Sequence, residues 1–307
     1  MVEASTVMKI MMYVNMIFFV GMTTFPGPFA DGYKMDFSCP ARPARGAPPC
    51  DEKKNTALLW FAFNLFGIQL GSLAGMAGAL ARDGVSKKAQ SAFLFVTMIS
   101  YPFLTISDLI ATTTDDFTNS GTPKEGIYFN TVLFSALTVA IYLAWQGTGG
   151  YVPDVNKLVP TGRFSTCVII NLVNGLFFAL PLMLFRDQFL EMFGMNEPLT
   201  NMGANKWIVM LIFGNIGKVL FWNCVAMLVV ATAEGGDKGD DTQYRLIRVT
   251  SIFNMFYLGS FSKDVIVNNF TGFADPMRTM TFVQMFAITY YTMNTWAGAG
   301  FTLKKKM

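Results

Sequence analysis

The sequence predicts an all-α integral membrane protein, with eight transmembrane helices arranged as two tandem four-helix repeats in the same orientation. Of its 307 residues, 52% are hydrophobic and only 14% are charged, whereas a soluble domain carries about 25% charged residues. Several apolar runs are long enough to cross a bilayer. Short motifs of the first half recur in the same order in the second half, which indicates an internal repeat.

Eight apolar segments account for most of the chain. Each can form about 20 helical residues, the length that spans the hydrocarbon core of a bilayer. No small-residue cleavage site follows the first segment, so we expect it to remain as a helix and not to be removed as a signal peptide. The predicted spans are residues 7–25, 57–81, 89–110, 128–146, 165–185, 207–232, 245–267 and 280–301.

The internal repeat divides the chain into two units. The motif VNMIFF at residues 14–19 matches VNGLFF at residues 173–178. We therefore predict a first four-helix unit over residues 1–149, a linker over 150–164 and a second four-helix unit over 165–307. Because four is an even number, the two units have the same orientation and are related by an axis along the membrane normal. Further matches are Gly67 with Gly217, Asp108 with Asp264, and Trp145 with Trp296.

The distribution of Lys and Arg predicts the orientation in the membrane. The side that holds both termini is richer in these residues, which favour the cytoplasmic, stromal or matrix face. The long first loop, residues 26–54, then lies on the opposite, extracytoplasmic or lumenal side. Its Cys39 and Cys50 lie in a segment rich in Pro, Gly and Arg, where we expect a disulfide to close a short loop. Two unpaired surface thiols are the alternative.

One basic residue interrupts the sixth apolar segment. Lys218 lies near the midpoint of the run 205–232, so it is roughly 20 Å from either end when the distance is measured along the helix. A lysine side chain does not easily reach the headgroups from that depth. Such a residue predicts a functional site, either an ion or substrate path or an anchor for an acidic group. The alternative is a structural lysine held by helix carbonyls or by Asn64, Asn171 or Asn174.

Two aspartates at matching places in the units are candidate partners of Lys218. Asp108 and Asp264 lie near the ends of the third and seventh segments, on the side away from the termini. We expect each of them to lie about a dozen ångströms from Lys218 along the membrane normal. A direct ion pair would then require a tilted or broken helix, and capping or interfacial solvation is the alternative role of both aspartates.

Three glycines spaced four residues apart lie on one face of the second segment. Gly67, Gly71 and Gly75 predict a flat strip against which another helix packs closely. A flat cofactor or a lipid lying against the same strip is the alternative. The sixth segment keeps only Gly214 and Gly217 of this pattern, so we do not expect the two units to pack identically.

The composition also bounds the function. The chain has no histidine, the commonest general base and metal ligand, and no metal site is assigned. Its net charge of only +3 does not favour nucleic acid as a partner. The sequence predicts a non-catalytic subunit of a larger membrane assembly, of a photosynthetic or respiratory kind, with other membrane subunits and lipids as partners. No cofactor is assigned, although the 30 Phe and 21 Met residues suit lipids or pigments. A transporter or channel with a path near Lys218 is the alternative.

Overall fold

The computed structural model describes residues 2–32, 52–120, 124–193, 195, 206–263 and 276–304. Within these residues all regular structure is helical, with eight long helices, three short helices and a 3₁₀ turn at Val155–Lys157. The long helices are α1 (Ala4–Thr24), α3 (Glu52–Leu80), α4 (Lys87–Ala111), α6 (Glu125–Gly147), α7 (Ser165–Leu184), α9 (Lys206–Thr232), α10 (Gly236–Lys263) and α11 (Pro276–Lys304). The short helices are α2 (Pro26–Gly32), α5 (Asp115–Ser120) and α8 (Arg186–Met192).

Each of the eight predicted segments overlaps one of the long helices. Six of these helices, α1, α3, α4, α6, α7 and α9, are long and apolar enough to cross a membrane. The all-helical membrane class is therefore supported. α10 and α11 are not among these six, and α10 carries several charged residues in its first turns. Eight crossing helices remain a prediction.

The long helices pack in pairs around two central helices. α1 packs on α3 and α4 packs on α6, while α7 packs on α9 and α10 packs on α11. The central helices α3 and α9 contact each other, and each also packs on a helix of the other half, α3 on α10 and α9 on α4. Within the candidate spans of α3 and α9, 67% of the residues are buried, against 17% for α6. The core of the fold therefore follows α3 and α9.

The two central helices extend past their shorter neighbours at one end of the bundle. We call the end at which α1 begins the near end, and the end at which α1 stops the far end. Met22, in the last turn of α1, lies against Gly67 of α3, yet α3 begins at Glu52, about 22 Å farther along its axis. Leu182, in the last turn of α7, lies against Gly217, and α9 begins about 16 Å beyond that contact. α2 packs on the extended part of α3, and α5 and α8 pack on α9.

The glycine strip of α3 lies between α1 and α10. A methyl group added at Gly71 would lie 2.8 Å from the ring of Phe19 and 2.6 Å from that of Phe253. At Gly75 it would lie 2.7 Å from Val249 and 2.8 Å from Phe253. Side chains of α1 and α10 thus fill the strip at these positions. In the structure, neighbouring helices pack closely against the strip. The positions at which a flat cofactor could lie are filled by these side chains.

Candidate functional site

Lys218 lies in a polar cluster between α4 and α9. Its Nζ donates hydrogen bonds to the Oγ of Ser107 at 2.8 Å and to the Oδ1 of Asn215 at 3.1 Å. The Nδ2 of Asn215 in turn donates a hydrogen bond to the Oδ1 of Asp108 at 3.0 Å. Asn215 therefore links the ammonium group to the carboxylate. None of the ion pairs found among the described residues joins Lys218 to Asp108 directly.

The separation expected between Lys218 and Asp108 is wrong. That expectation assumed that all helices begin and end at common levels, whereas α9 extends well past its neighbours at the far end. The middle of α9 therefore faces the last turn of α4, which contains Asp108, and the last turn of α7, which contains Leu182. Lys218 is central in its own helix but close to the ends of the helices around it. The distance from Lys218 to the ends of α9 is therefore longer than the distance from Lys218 to the far ends of the neighbouring helices α4 and α7.

The asparagines expected to hold Lys218 do not bind it, and in the described structure no hydrogen bond joins Asn64 to its Nζ. Asn171 donates hydrogen bonds to Cys167 and Thr292, and Asn174 accepts one from Gln284. Lys218 instead uses Asn215, one turn earlier in its own helix, together with a serine of α4.

Three residues of the predicted sites lie outside the described part of the chain. Asp264 is one of them, and a contact between it and Lys218 remains a prediction. Cys39 and Cys50 are the others, so their disulfide also remains a prediction. Cys167 and Cys224 are described, and both are buried free cysteines. Within the same described ranges, no group of three or more His, Cys, Asp or Glu side chains could hold a metal ion.

An elongated cavity of about 170 Å³ lies between α3, α7, α9 and α10, and side chains of α8 and α11 complete its wall. One face of α3 forms part of its wall, from Phe61 to Met76, which corresponds to about 22 Å of helix. A matching face of α9 runs from Phe213 to Met227. The cavity is therefore narrow and runs parallel to the two central helices. The α3 residues in the wall are Phe61, Leu65, Gln69, Ser72 and Met76.

Two amide side chains, those of Gln69 and Asn223, lie next to each other near the middle of the cavity wall. Gln69 is 1% exposed and Asn223 is 7% exposed. The Nδ2 of Asn223 donates hydrogen bonds to the main-chain oxygen of Gln69 at 2.9 Å and to its Oε1 at 3.2 Å. The Nε2 of Gln69 and the Oδ1 of Asn223 are buried without a hydrogen-bond partner in the described structure, as is the hydroxyl of Tyr257. Such a group costs about 1–3 kcal/mol when it stays unpaired, so these atoms favour an occupant that can pair with them.

The three unpaired polar atoms lie at about the same level of the bundle. Val249 lies against Gly75, and Phe253 lies against both Gly75 and Gly71, so α10 runs antiparallel to α3. Tyr257 follows Phe253 by about one helical turn and is about 6 Å closer to the far end. That position is the level of Gln69 in α3. We call Gln69, Asn223 and Tyr257 the polar triad.

The wall of the cavity changes in polarity along its length. On the far-end side of the polar triad it is almost entirely apolar, with Thr281 as its polar side chain. At the triad and on the near-end side it contains several amides and hydroxyls. None of the described side chains that line the cavity is charged. The apolar side includes Phe61, Leu65, Phe178, Leu182, Phe213, Ile216 and Phe261, and the polar side includes Ser72, Asn171, Asn174, Thr250 and Asn254.

Sequence reasoning missed the polar triad. Gln69 lies between Gly67 and Gly71 of the glycine strip, and Asn223 lies five residues after Lys218. Polar residues inside an apolar span are a general signal of an interior-facing position, and that signal could have marked both amides. Their pairing, and the presence of Tyr257 at the same level, depend on how three helices are offset and cannot be predicted from spacing within one helix.

No protein-family model matches the chain, and neither a curated protein nor a solved structure matches it. Two places in the fold bear on function, the polar cluster at Lys218 and the cavity. The Lys218 cluster consists of hydrogen bonds within the protein, whereas the cavity combines open space with unpaired polar atoms. The cavity is the candidate binding site.

Proposed function

We propose that this chain is a non-catalytic, multi-span membrane subunit that holds a lipophilic molecule in the cavity between α3, α7, α9 and α10. The observation that carries this proposal is the wall of the cavity, which is long and largely apolar and has unpaired polar atoms near its middle. Binding sites for small molecules are commonly apolar pockets with a few polar groups that fix orientation. A wall built from neutral side chains favours holding a molecule over acid–base chemistry.

The proposed architecture is that of two four-helix units, all eight long helices crossing the membrane. The helix pairs correspond between the halves, since α1 on α3 resembles α7 on α9 and α4 on α6 resembles α10 on α11. The close contact of Met22 with Gly67 also corresponds to that of Leu182 with Gly217. These correspondences support a two-fold axis between α3 and α9.

The close contacts agree with the sequence match. Gly67 lies against both Met22 and Thr23, and Gly217 lies against Leu182. Thr23 is the residue that pairs with Leu182 in the register in which residues 14–19 match residues 173–178. The motif match and the glycine match between Gly67 and Gly217 therefore support the same pairing of the helices.

The outer helices offer surface to lipids and to neighbouring subunits. Within the candidate span of α6 only 17% of the residues are buried, and its outer face exposes Phe129, Val132 and Val139. α11 exposes Val283 and Phe286 in the same way. Large apolar faces of this kind need a covering of lipid or protein. We propose that neighbouring subunits cover part of them.

Gentle purification from the native membrane tests this proposal. In a mild detergent, native mass spectrometry should show the chain with stoichiometric partners and with a bound lipophilic molecule that survives removal of the detergent. A chain that migrates alone and carries no such molecule would contradict the proposal. If the chain migrates alone but carries the molecule, the proposed binding function is supported and the proposed role as a subunit is contradicted.

A transporter or channel is the second candidate, and the half-buried charge of Lys218 is the observation that favours it. Lys218 does not line the cavity, and its Nζ is already bound by Ser107 and Asn215. Solute flux into vesicles that contain the purified chain, if it stops in Lys218→Met, would favour transport over the subunit role. Loss of the assembly in the same variant would favour the subunit role.

A further inference from the structure

We infer that the cavity takes an uncharged, single-chain lipid that carries a hydroxyl group. Its hydroxyl would bind at the polar triad, and its hydrocarbon chain would lie in the apolar part of the cavity on the far-end side. This inference rests on the proposed binding function of the cavity and adds the chemical class of the ligand.

The polar triad selects the head of the ligand. Gln69 offers an N–H donor through Nε2, and Asn223 offers an acceptor through Oδ1. The other ends of these two amides are joined by a hydrogen bond of 3.2 Å, so the free donor and the free acceptor belong to adjoining side chains. A hydroxyl group both accepts and donates a hydrogen bond and pairs with both atoms. The hydroxyl of Tyr257 can add a further bond.

Other head groups match the triad less well. A quinone or ester carbonyl only accepts hydrogen bonds, so it would leave the Oδ1 of Asn223 unpaired. An ionised carboxylate or amine would be buried without a counter-charge, because none of the described side chains in the wall is charged, and such burial is strongly unfavourable. The wall therefore favours a neutral head group that carries an O–H.

The shape of the cavity selects the tail of the ligand. A compact cavity of about 150 Å³ accommodates one benzene ring. Here a volume of about 170 Å³ is drawn out over about 22 Å of helix, which suits an extended chain more than a planar ring system. From Gln69 to Phe61 the apolar wall covers about 12 Å. A single alkyl chain fits that length.

The test compares three probes of equal chain length, namely decan-1-ol, decane and decanoate. Each is titrated against the purified, delipidated full chain while the midpoint of thermal unfolding is recorded, since a molecule that binds only the folded state raises that midpoint. Decan-1-ol should bind at least about tenfold more tightly than decane or decanoate, because one well-formed hydrogen bond to a buried group is worth about that factor.

Two variants assign the preference to the triad. Tyr257→Phe removes one hydroxyl and should weaken decan-1-ol about five- to tenfold without changing the affinity for decane. Gln69→Met provides the same test at a second position if Tyr257→Phe does not fold. The matched control is Tyr142→Phe on the outer face of α6, where the hydroxyl accepts a hydrogen bond from Gln146. Its affinities should equal those of the wild type.

The outcomes separate this inference from the proposed function. Equal binding of decan-1-ol and decane, unchanged in Tyr257→Phe and Gln69→Met, would overturn the hydroxyl preference and leave the binding function standing. Tighter binding of decanoate than of decan-1-ol would overturn the neutral head group. If none of the probes binds and the chain purified from its membrane carries no lipophilic molecule, both the inference and the proposed function are wrong.

Discussion

Asn223 of α9 donates a hydrogen bond of 2.9 Å to the main-chain oxygen of Gln69 in α3. This contact joins the two central helices at the level where the cavity has its unpaired polar atoms. The same two amides therefore connect the halves of the fold and line the cavity, each with one buried polar atom left unpaired. Stability and ligand binding should consequently both depend on this pair.

Replacing Asn223 with leucine should weaken the contact between α3 and α9. Hydrogen bonds between membrane helices contribute about 0.6 kcal/mol on average and up to about 1.7 kcal/mol. Because Asn223 makes two such bonds, we expect Asn223→Leu to lower the free energy of unfolding by about 1–2 kcal/mol, measured by denaturant titration in detergent. Asn294→Leu, at an exposed position of α11, is the control and should have little effect. Equal stability of the two variants would contradict this role of Asn223.

The glycines at the close helix contacts should not tolerate a methyl group. In Gly217→Ala the new Cβ would lie 2.8 Å from the Cβ of Leu182 and 2.9 Å from the nitrogen of Met183. Overpacking of this kind typically costs about 1–3 kcal/mol. Gly259 in α10 has no atom within 4 Å of an added Cβ, so Gly259→Ala should instead stabilise the helix by about 0.5–1 kcal/mol. A thermal unfolding midpoint of Gly217→Ala equal to or above that of the wild type would show that α7 and α9 are not in such close contact.

Lys218 and Asp108 should be energetically coupled although no direct ion pair joins them. Asn215 binds both groups, and the ammonium of Lys218 also attracts the Asp108 carboxylate. In a double-mutant cycle with Lys218→Met and Asp108→Asn, we expect a coupling energy of about 0.5–3 kcal/mol, the range found for residues of one network. Destabilisations that add within about 0.5 kcal/mol would show that the two residues act independently.

Thiol labelling checks the predicted disulfide. Cys167 and Cys224 are only 2% and 4% exposed, so a maleimide should not reach them in the folded protein. If Cys39 and Cys50 form a disulfide, the folded chain should take up no label without reductant and two labels after mild reduction. Two labels both with and without reductant would rule the disulfide out.

The number and approximate positions of the long helices could be predicted from the sequence, because an apolar run of about 20 residues has few alternatives to a helix. The ends of the helices could not be predicted as well. α10 begins at Gly236, well before residue 245, since its first turns are helical but charged. Hydropathy marks the apolar part of a helix and does not mark the turns that continue beyond it.

The contacts of Lys218 and the shape of the cavity both depend on the offset between neighbouring helices. The sequence of one segment alone does not define that offset. The extension of α9 past α4 and α7 brings Lys218 to Asp108 and Ser107. The offset of α10 against α3 brings Tyr257 to the level of Gln69. The glycine strip was predictable because spacing within one helix defines it, whereas the polar triad combines three helices.

The central claim is that the cavity holds a lipophilic molecule, and filling the cavity tests it most directly. Leu65 lines the apolar part, and Leu65→Trp should place a larger ring in that space. The control is Leu143→Trp on the exposed face of α6. We expect native mass spectra to show one bound lipophilic molecule per chain in the wild type and in Leu143→Trp, and none in a folded Leu65→Trp variant. An equal amount of bound molecule in all three proteins would contradict the claim.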